Sequence, residues 1–281
     1  MYEGRIEALE SICGYLKKQN EKYVIMTDSN VAVNFDFNDL LHAHMASGAD
    51  ATVVYRKQEI PDSLIRKSTE TVDMYYALGI NGDHVSKIYV NPTEKGKMNF
   101  CLNIYVMERE RLIRMIDDAY VHGYTNFVRD ILERQIEHLD VRGYCYDGYV
   151  AQIHDMKSYF EENMKLLQEE NLNALFSGNQ IYTKIRDDNP TRYINGSKAK
   201  NIMVADGCVI EGEVENSVLF RGVRIGKGAK VKNCVLMQDT VVEDNASVEY
   251  VITDKDVTIT EGKSLTGNDS FQVFVAKGQT V

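Results

Sequence analysis

The sequence predicts two folded parts, an α/β domain followed by a parallel β-helix. Strand-like and helix-like segments alternate over residues 1–190, which is typical of an α/β layer fold. A 17-residue repeat of aliphatic residues then runs over 206–262, and such a period is typical of a solenoid. Pro190, one of only three prolines, lies in a polar turn between these two regions and marks the boundary.

The elements of the α/β part follow from the spacing of apolar residues. Helices are predicted where apolar residues recur every three or four positions, in the segments 6–16, 40–45, 109–120, 126–139 and 155–170. Strands are predicted at short apolar runs, in the segments 23–26, 51–55, 85–90, 102–107 and 141–146. Together these elements predict a single sheet covered by helices.

The repeat predicts a triangular parallel β-helix of the hexapeptide type. Aliphatic residues align at an offset of 17 in three sets: Val214, Val231 and Val248; Ile225, Val242 and Ile259; Val218, Val235 and Ile252. Spacing of about six within each unit fits three short strands per coil, with aliphatic side chains directed inward. An antiparallel β-sandwich is the alternative, but it would not keep residue classes in phase over three units.

The extent of the β-helix and its lack of histidine bear on its role. At least three coils are expected over 200–262, and residues 271–275 are expected to supply a capping strand. All six histidines precede residue 155, so none lies in the repeat. We therefore expect this part to perform no chemistry of its own.

Composition excludes several classes of protein. The net charge of −10 argues against a nucleic-acid partner, which would require a basic surface. No run of about 18 apolar residues is present, so no membrane partner is expected. The five cysteines form no CxxC pair, which argues against a zinc site or a disulfide framework. We expect a cytoplasmic protein.

The first candidate for chemistry is Asp28, which follows the predicted strand 23–26. Ligands of open α/β sheets lie beyond the carboxyl ends of strands, so Asp28 could hold a divalent ion against a nucleotide phosphate. The alternative is a strand-end or helix-cap role. No GxGxxG or GxxxxGK[ST] motif supports nucleotide binding, and the glycines of 222–228 belong to the repeat.

Two sets of residues resemble one known family. Residues 181–193 resemble the linker, and residues 205–208, 211–212, 214–223 and 237–240 resemble the β-helix, of bacterial glucose-1-phosphate adenylyltransferases. The similarity runs from about Tyr2 to the C-terminus and points in particular to the GlgD-type, regulatory subunit. It implies an α/β nucleotidyltransferase-like fold with a Rossmann-like mixed sheet, followed by a left-handed parallel β-helix of the hexapeptide type. Active members join ATP and glucose 1-phosphate into ADP-glucose and pyrophosphate with Mg²⁺, in glycogen biosynthesis.

The resemblance also implies positions for the active site, and this chain departs from the family pattern at them. Gly4 lies in the turn that reads Gly-Thr-Ala in active members, with Arg5 replacing the small hydroxyl residue. The catalytic aspartate corresponds to Asp28 or to Ser29. Asn91 replaces the sugar-phosphate lysine of the Glu-Lys-Pro motif, so a positive charge is lost.

The remaining positions are equally altered. Cys101 and Asn103 lie in the segment that lines the sugar pocket in active members, and Asn126 replaces the second metal-binding aspartate. An amide is a poorer Mg²⁺ ligand than a carboxylate. No cofactor is therefore expected in this chain, whereas active members use Mg²⁺.

These departures predict a regulatory, non-catalytic subunit that assembles with a catalytic homologous subunit into a hetero-oligomer, expected to be a tetramer. A nucleotide or sugar phosphate is a further candidate ligand. The alternatives are an active nucleotidyltransferase of the same family and, more weakly, a β-helix assembly module without ligand. The predicted division is a nucleotidyltransferase-like domain over 1–180, a linker over 181–199 and the β-helix over 200–281. The similarity begins inside the first domain, so an incomplete N-terminal sheet with an exposed edge is expected.

Overall fold

A computed structural model describes residues 4–61, 64–65, 75–183 and 186–281. The chain forms two compact units. The first consists of Met1–Val31 and Phe35–Gly148, and the second of Ala32–Asn34 and Tyr149–Val281. The second unit thus takes in residues 149–180, which the sequence-based division assigns to the first domain. The physical reason is that a helix in this segment packs on the β-helix.

The first unit contains a six-stranded mixed sheet. Its strands are β1 (Tyr23–Thr27), β3 (Ala51–Glu59), β4 (Tyr76–Asn81), β5 (His84–Val90), β6 (Lys97–Glu108) and β7 (Val141–Cys145), in the order β1-β6-β3-β7-β5-β4. Strand β7 runs parallel to β3, whereas β6 is antiparallel to both β1 and β3. The mixed sheet is confirmed. Strand β1 lies at one edge of the sheet, and strand β4 was missed by the sequence pattern.

Helices pack on this sheet through its apolar core. They are α1 (Arg5–Ser11), α2 (Cys13–Leu16), α3 (Phe37–Ser47), α4 (Arg109–Val121) and a π-helix (Phe127–Glu133). The single helix predicted over 6–16 is interrupted at Ile12, which has φ −102° and ψ 1°. Leu112 and Ile116 of α4 are fully buried against the core, as their helical spacing predicts.

The helix predicted over 126–139 is a π-helix that ends at Glu133. Its start is fixed by Asn126, whose side chain caps the first turn, and by Asp130, whose carboxylate accepts the backbone N–H groups of Thr125 and Asn126. The carboxylate of Asp130 thus reaches back over the first turn of this π-helix, an element that is rare in proteins.

Two helices of the second unit precede the coils. The helix predicted over 155–170 is divided into α5 (Met156–Lys165) and α6 (Glu169–Phe176). Asp155 and Ser158 form a reciprocal capping box at the start of α5. Gln168 is extended, and the acidic pair that opens α6 favours a new helix start. The early strand β2 (Val31–Val33) pairs with β8 (Val150–Gln152).

The rest of the second unit is a stack of parallel coils, so the solenoid is confirmed. Its strands are β9 (Arg192–Tyr193), β10 (Lys198–Val204), β11 (Val209–Ile210), β12 (Glu213–Leu219), β13 (Arg224–Ile225), β14 (Lys230–Lys232), β15 (Val235–Leu236), β16 (Val241–Val242), β17 (Ser247–Glu249), β18 (Val251–Thr253), β19 (Thr258–Ile259), β20 (Ser264–Thr266) and β21 (Val273–Val275). All three predicted sets of aliphatic residues pair at the 17-residue offset. Strand β21 pairs with β18 and supplies the expected final strand.

The three aliphatic rows do not all face inward. The rows through Val231 and Val242 lie in the interior of the β-helix, where their side chains are almost fully buried. The row through Val235 instead faces outward and is covered by Phe160 of α5. Leu219 and Leu236 fill the interior on that side. The β-helix therefore has two apolar layers on one face, one inside the coil and one beneath a helix.

Among the helices in the described ranges, none has both the length and the apolar character needed to cross a membrane.

Candidate functional site

Asp28 lies directly after β1, where the sequence places it, and its carboxylate faces a cation from the same chain. One guanidinium nitrogen of Arg5 lies 2.5 Å from Oδ1 and 2.6 Å from Oδ2 of Asp28. The two side chains are 25% and 29% exposed, so the ion pair is only partly hydrated. Arg5 belongs to α1 and Asp28 to the end of β1, and the contact therefore joins two elements far apart in the chain.

The guanidinium of Arg5 lies over an aromatic ring. Its guanidinium carbon lies 5.6 Å from the centroid of the Tyr105 ring, which favours a cation. Burial by itself lowers the pKa of Arg5, but Tyr105 and Asp28 outweigh this effect, so the pKa of Arg5 is raised. Arg5 is thus held as a permanent cation at the strand end.

Cys101, Asn103 and Tyr105 form a hydrogen-bonded group on β6 beside this ion pair. The Tyr105 hydroxyl donates to Oδ1 of Asn103 at 2.8 Å, and the Cys101 Sγ lies 3.4 Å from the same hydroxyl. Asn103 has φ 56°, a left-handed conformation that asparagine tolerates. Burial raises the pKa of Cys101 and raises that of Tyr105 well above its usual range. Neither group supplies a nucleophile or a base near neutral pH.

Gly4 packs against the backbone at the start of the π-helix. A Cβ at Gly4 would lie 2.3 Å from the carbonyl oxygen of Thr125, a separation that no side chain could accommodate. The same carbonyl accepts the backbone N–H of Ile6 at 3.1 Å. Because Gly4 has no side chain, the start of α1 can approach the backbone at Thr125 closely enough to form this hydrogen bond.

Asn126 uses its side chain for the fold. Its Oδ1 accepts the backbone N–H groups of Val128 and Arg129 at 3.0 and 2.8 Å, and the Tyr76 hydroxyl at 3.0 Å. This is a helix cap reinforced by a phenol. The oxygen at the predicted metal position is therefore already saturated by donors.

Both the side chain and the backbone of Asn91 form hydrogen bonds with the backbone of Tyr75. Its Oδ1 accepts the backbone N–H of Tyr75 at 2.9 Å, and its own N–H donates to the Tyr75 carbonyl at 2.9 Å. Asn91 has φ 47° and directly follows β5. In the described part of the chain, no contact joins Asn91 to the Arg5–Asp28 pair. The other predicted positions, by contrast, lie around that pair or the residues next to it.

A groove of about 350 Å³ opens beside the ion pair. Arg5, Asp28, Asn103 and Tyr105 form its polar end. The rest is apolar, lined by Leu9, Ile12, Leu16, Val24, Ile25, Met26 and Leu112 with Thr27. The groove runs along strand β1, which among the described residues pairs only with β6, so a partly apolar surface lies along this edge strand.

The donor set at this position does not fit Mg²⁺. Mg²⁺ requires oxygen ligands in a near-octahedral arrangement, and carboxylates provide most of its protein ligands. Here Asp28 is neutralised by Arg5, and the oxygen of Asn126 already accepts three hydrogen bonds. Within the residues that the structure describes, no three His, Cys, Asp or Glu side chains converge on a point that could hold a metal.

The sequence patterns missed two features of this region. Arg5 was noted as a departure from the family turn but not as the partner of Asp28. Asp130 is 5% exposed and binds Arg129 through two hydrogen bonds of 2.6 and 2.9 Å. The adjacency of Arg129 and Asp130 was the available signal, but adjacent opposite charges are common on helix surfaces and do not indicate burial.

Known proteins share both parts of the chain. Residues 185–272 match a family model described as the GlmU-like, C-terminal hexapeptide. The glycogen biosynthesis protein GlgD of Bacillus subtilis strain 168 is 30% identical over 265 residues, which cover 94% of this chain and 65% of that protein. The glucose-1-phosphate adenylyltransferase of Geobacillus stearothermophilus is 30% identical over 236 residues, 82% of this chain and 59% of the enzyme. The GlgD of Geobacillus stearothermophilus is 31% identical over 229 residues, 81% of this chain and 54% of that protein.

Over most of its length the chain is similar to GlgD and to glucose-1-phosphate adenylyltransferase. The resemblance stated from residues 181–240 is thereby confirmed. The chain spans between 54% and 65% of the length of these three relatives. The hexapeptide match over 185–272 coincides with the coils from β9 to β20. The structure thus forms a β-helix where the hexapeptide model matches.

Proposed function

We propose that this chain is a regulatory, catalytically degenerate subunit of glucose-1-phosphate adenylyltransferase in glycogen biosynthesis. The observation that carries the proposal is the Arg5–Asp28 ion pair, in which the candidate catalytic carboxylate is occupied by a cation of the chain itself. The relatives named GlgD and glucose-1-phosphate adenylyltransferase support the assignment to this pathway.

The electrostatics of the site support loss of catalysis. Nucleotidyl transfer requires cations that neutralise phosphate charge and a carboxylate that holds Mg²⁺. Arg5 competes with any metal for Asp28, and Asn126 offers only a neutral oxygen that is already bound. Asn91 carries no charge and caps a backbone turn. Three functions of an active site are thus absent at the positions where the family places them.

The proposed mode of action is allosteric. A catalytic homologous subunit would assemble with this chain into a hetero-oligomer, expected to be a tetramer, and contacts between them would bias the catalytic subunit between states of different substrate affinity. The intact stack of coils in the second unit offers an extended surface for such assembly. We place this complex in the cytoplasm, and the five cysteine thiols, none of them in a disulfide, agree with a reducing compartment.

Co-expression with the catalytic subunit of a related enzyme tests the proposal. We expect the two chains to co-purify, and the complex to form ADP-glucose with a KM or maximal rate different from that of the catalytic subunit alone. The isolated chain should form no ADP-glucose from ATP and glucose 1-phosphate. Absence of co-purification together with unchanged kinetics would contradict the proposal.

A second candidate function is nucleotidyl transfer by this chain itself, and the retention of Asp28 at the end of β1 favours it. In that case Asp28→Asn would abolish a measurable basal activity, while Asp117→Asn, at an exposed carboxylate on α4, would leave that activity intact. If the chain is degenerate, both variants and the parent are equally inactive. A nucleotide or sugar phosphate bound without turnover would appear in calorimetric titration of the isolated chain.

A further inference from the structure

One corner of the β-helix carries a row of asparagines. Asn201, Asn216 and Asn233 stand at equivalent positions of successive coils, with φ of 50°, 45° and 50°. Tyr250 continues the row on the next coil with φ 52°. The left-handed conformation at this corner turns each side chain outward, so three carboxamides and one aromatic ring are stacked along the axis of the stack.

This row forms one wall of a cleft of about 420 Å³ within the second unit. The opposite wall is formed by α5 and the segment that leads into α6. It presents the apolar groups of Phe160, Met164 and Leu167 together with polar groups of Glu161, Lys165 and Gln168. The volume falls in the range of roughly 300–1,000 Å³ that small-molecule sites occupy.

The carboxamides retain hydrogen-bonding capacity. The Nδ2 of Asn201 donates to the Oδ1 of Asn216 at 2.8 Å, which fixes the orientation of these two groups. Among the hydrogen bonds of the described residues, none uses the Nδ2 of Asn216 or either polar atom of the Asn233 side chain. Each carboxamide has two donors and one acceptor group on adjacent atoms. The wall therefore presents donors and acceptors side by side, at the spacing of the coils.

The charges around the cleft select against anions. Of the described residues, Lys165 is the one cation that lines the cleft, and it is bound to Glu162 at 2.6 Å. Two carboxylates, of Glu161 and Asp269, also line the cleft, and among the ion pairs of the described residues only Glu161 has a partner, Lys157 at 3.5 Å. A phosphate would meet more negative than positive charge. This cleft is therefore unsuited to the anionic substrates of the relatives' reaction.

We propose that the cleft binds a neutral saccharide. Vicinal hydroxyls pair well with carboxamides and carboxylates, because each hydroxyl donates one hydrogen bond and accepts another. The ring of Tyr250, packed on Phe160 with centroids 6.1 Å apart, offers an apolar face to the C–H side of a sugar ring. The proposal does not depend on the function proposed above, because it concerns a different unit of the chain and no step of the reaction.

The test is titration of the full chain with maltoheptaose, a neutral gluco-oligosaccharide, followed by calorimetry and by saturation-transfer NMR. We expect saturable binding, and we expect the double variant Asn216→Gly/Asn233→Gly to weaken it about tenfold or more, since two hydrogen bonds to the ligand are lost. Glycine accepts the left-handed conformation of both positions, so the backbone of the corner is preserved.

The matched control is Asn245→Gly, which makes the same substitution at φ 57° on another corner of the same β-helix. It should bind maltoheptaose as the parent does, and the thermal unfolding of all three proteins should remain cooperative. The proposal is overturned if maltoheptaose does not bind saturably or if the control and the double variant lose affinity equally. Displacement of bound maltoheptaose by glucose 1-phosphate at equal or lower concentration would overturn the selection against anions. None of these outcomes bears on ADP-glucose formation, so the two proposals fail separately.

Discussion

Arg5 and Asp28 form an ion pair across 23 residues of sequence, with both carboxylate oxygens within 2.6 Å of one guanidinium nitrogen. The pair fixes the first helix of the chain to the end of an edge strand. A contact of the candidate catalytic residue Asp28 thus contributes to the stability of the first unit. The same two side chains cannot easily serve both this contact and a metal ion, because separation would leave two partly buried charges unpaired.

We expect Arg5→Ala to lower the free energy of unfolding by about 1–3 kcal/mol, because Asp28 loses its partner in a partly buried setting. Chemical denaturation of Arg5→Ala, Asp28→Ala and the double variant measures the coupling between the two residues. The double variant should be less destabilised than the sum of the single variants. Strict additivity would show that the ion pair contributes nothing.

Asp130 should make the first unit sensitive to acid. Hydrogen bonds from Arg129, which outweigh the effect of burial, and from the backbone of Asn126 and Thr125 lower the pKa of Asp130 to about 2 from its usual value of 3.8. The folded state therefore favours the charged form, and this stabilisation is present above pH 4 and is lost as the pH falls toward 2. Asp130→Asn should cost about 1–2 kcal/mol at pH 7, discounted for the partly exposed Arg129, and much less at pH 2–3.

Denaturation curves of Asp130→Asn at a series of pH values check this dependence. Asp117→Asn is the control, since Asp117 is 57% exposed and its partner Lys17 is 51% exposed. It should show a small effect. A cost of Asp130→Asn that is the same at pH 7 and pH 2.5 would contradict the role assigned to the carboxylate.

The interior of the β-helix should be intolerant of cavities. Ile225 on β13 is 1% exposed and lies in the interior row, so Ile225→Ala should lower the free energy of unfolding by about 2–5 kcal/mol. Arg224→Ala, on the outward face of the same strand, should change it by less than about 0.5 kcal/mol. Equal effects of the two substitutions would contradict the assignment of Ile225 to the interior, and a larger effect of Arg224→Ala would mean that the strand faces the other way.

The thiols should differ sharply in reactivity. Cys145 is exposed, whereas Cys234 is fully buried and burial raises the pKa of its thiol to about 12. Titration of the native protein with a disulfide reagent should modify Cys145 first, and Cys145→Ser should remove this early phase. Cys234 should react after unfolding. Rapid modification of Cys234 in the native state would indicate that the coils open locally.

The β-helix could be predicted in detail because its pairing is local in sequence. Val214 pairs with Val231 and Val231 with Val248, so a shift of the sequence against itself reproduces the register. The side to which each row points was harder to predict. The row of Val235 is buried by Phe160, which lies on a helix outside the repeat, and the periodicity of the coils carries no information about that helix.

The sequence predicted which residues belong to the candidate site, but not what their side chains contact. The resemblance placed Asp28 and Asn126 at functional places, but the role of each depends on a partner distant in sequence, Arg5 for one and Tyr76 for the other. The sequence pattern also did not predict the π-helix after Asn126, because the spacing of its apolar residues resembles that of an α-helix. Hydrogen bonds between residues distant in sequence determine these features, and such bonds produce no periodic pattern in the sequence.

The constant offset of 17 residues between the central coils bears on how such a protein can change in length. Deleting or duplicating one whole coil would keep the rows of Val231 and Val242 aligned, and would shorten or extend the stack by one layer. Loss of a single residue within a coil would instead reverse the inward and outward faces of the strands that follow. Insertions and deletions in the β-helix should therefore be tolerated in steps of one coil. The number of coils can then change during evolution while the apolar interior of each coil stays the same.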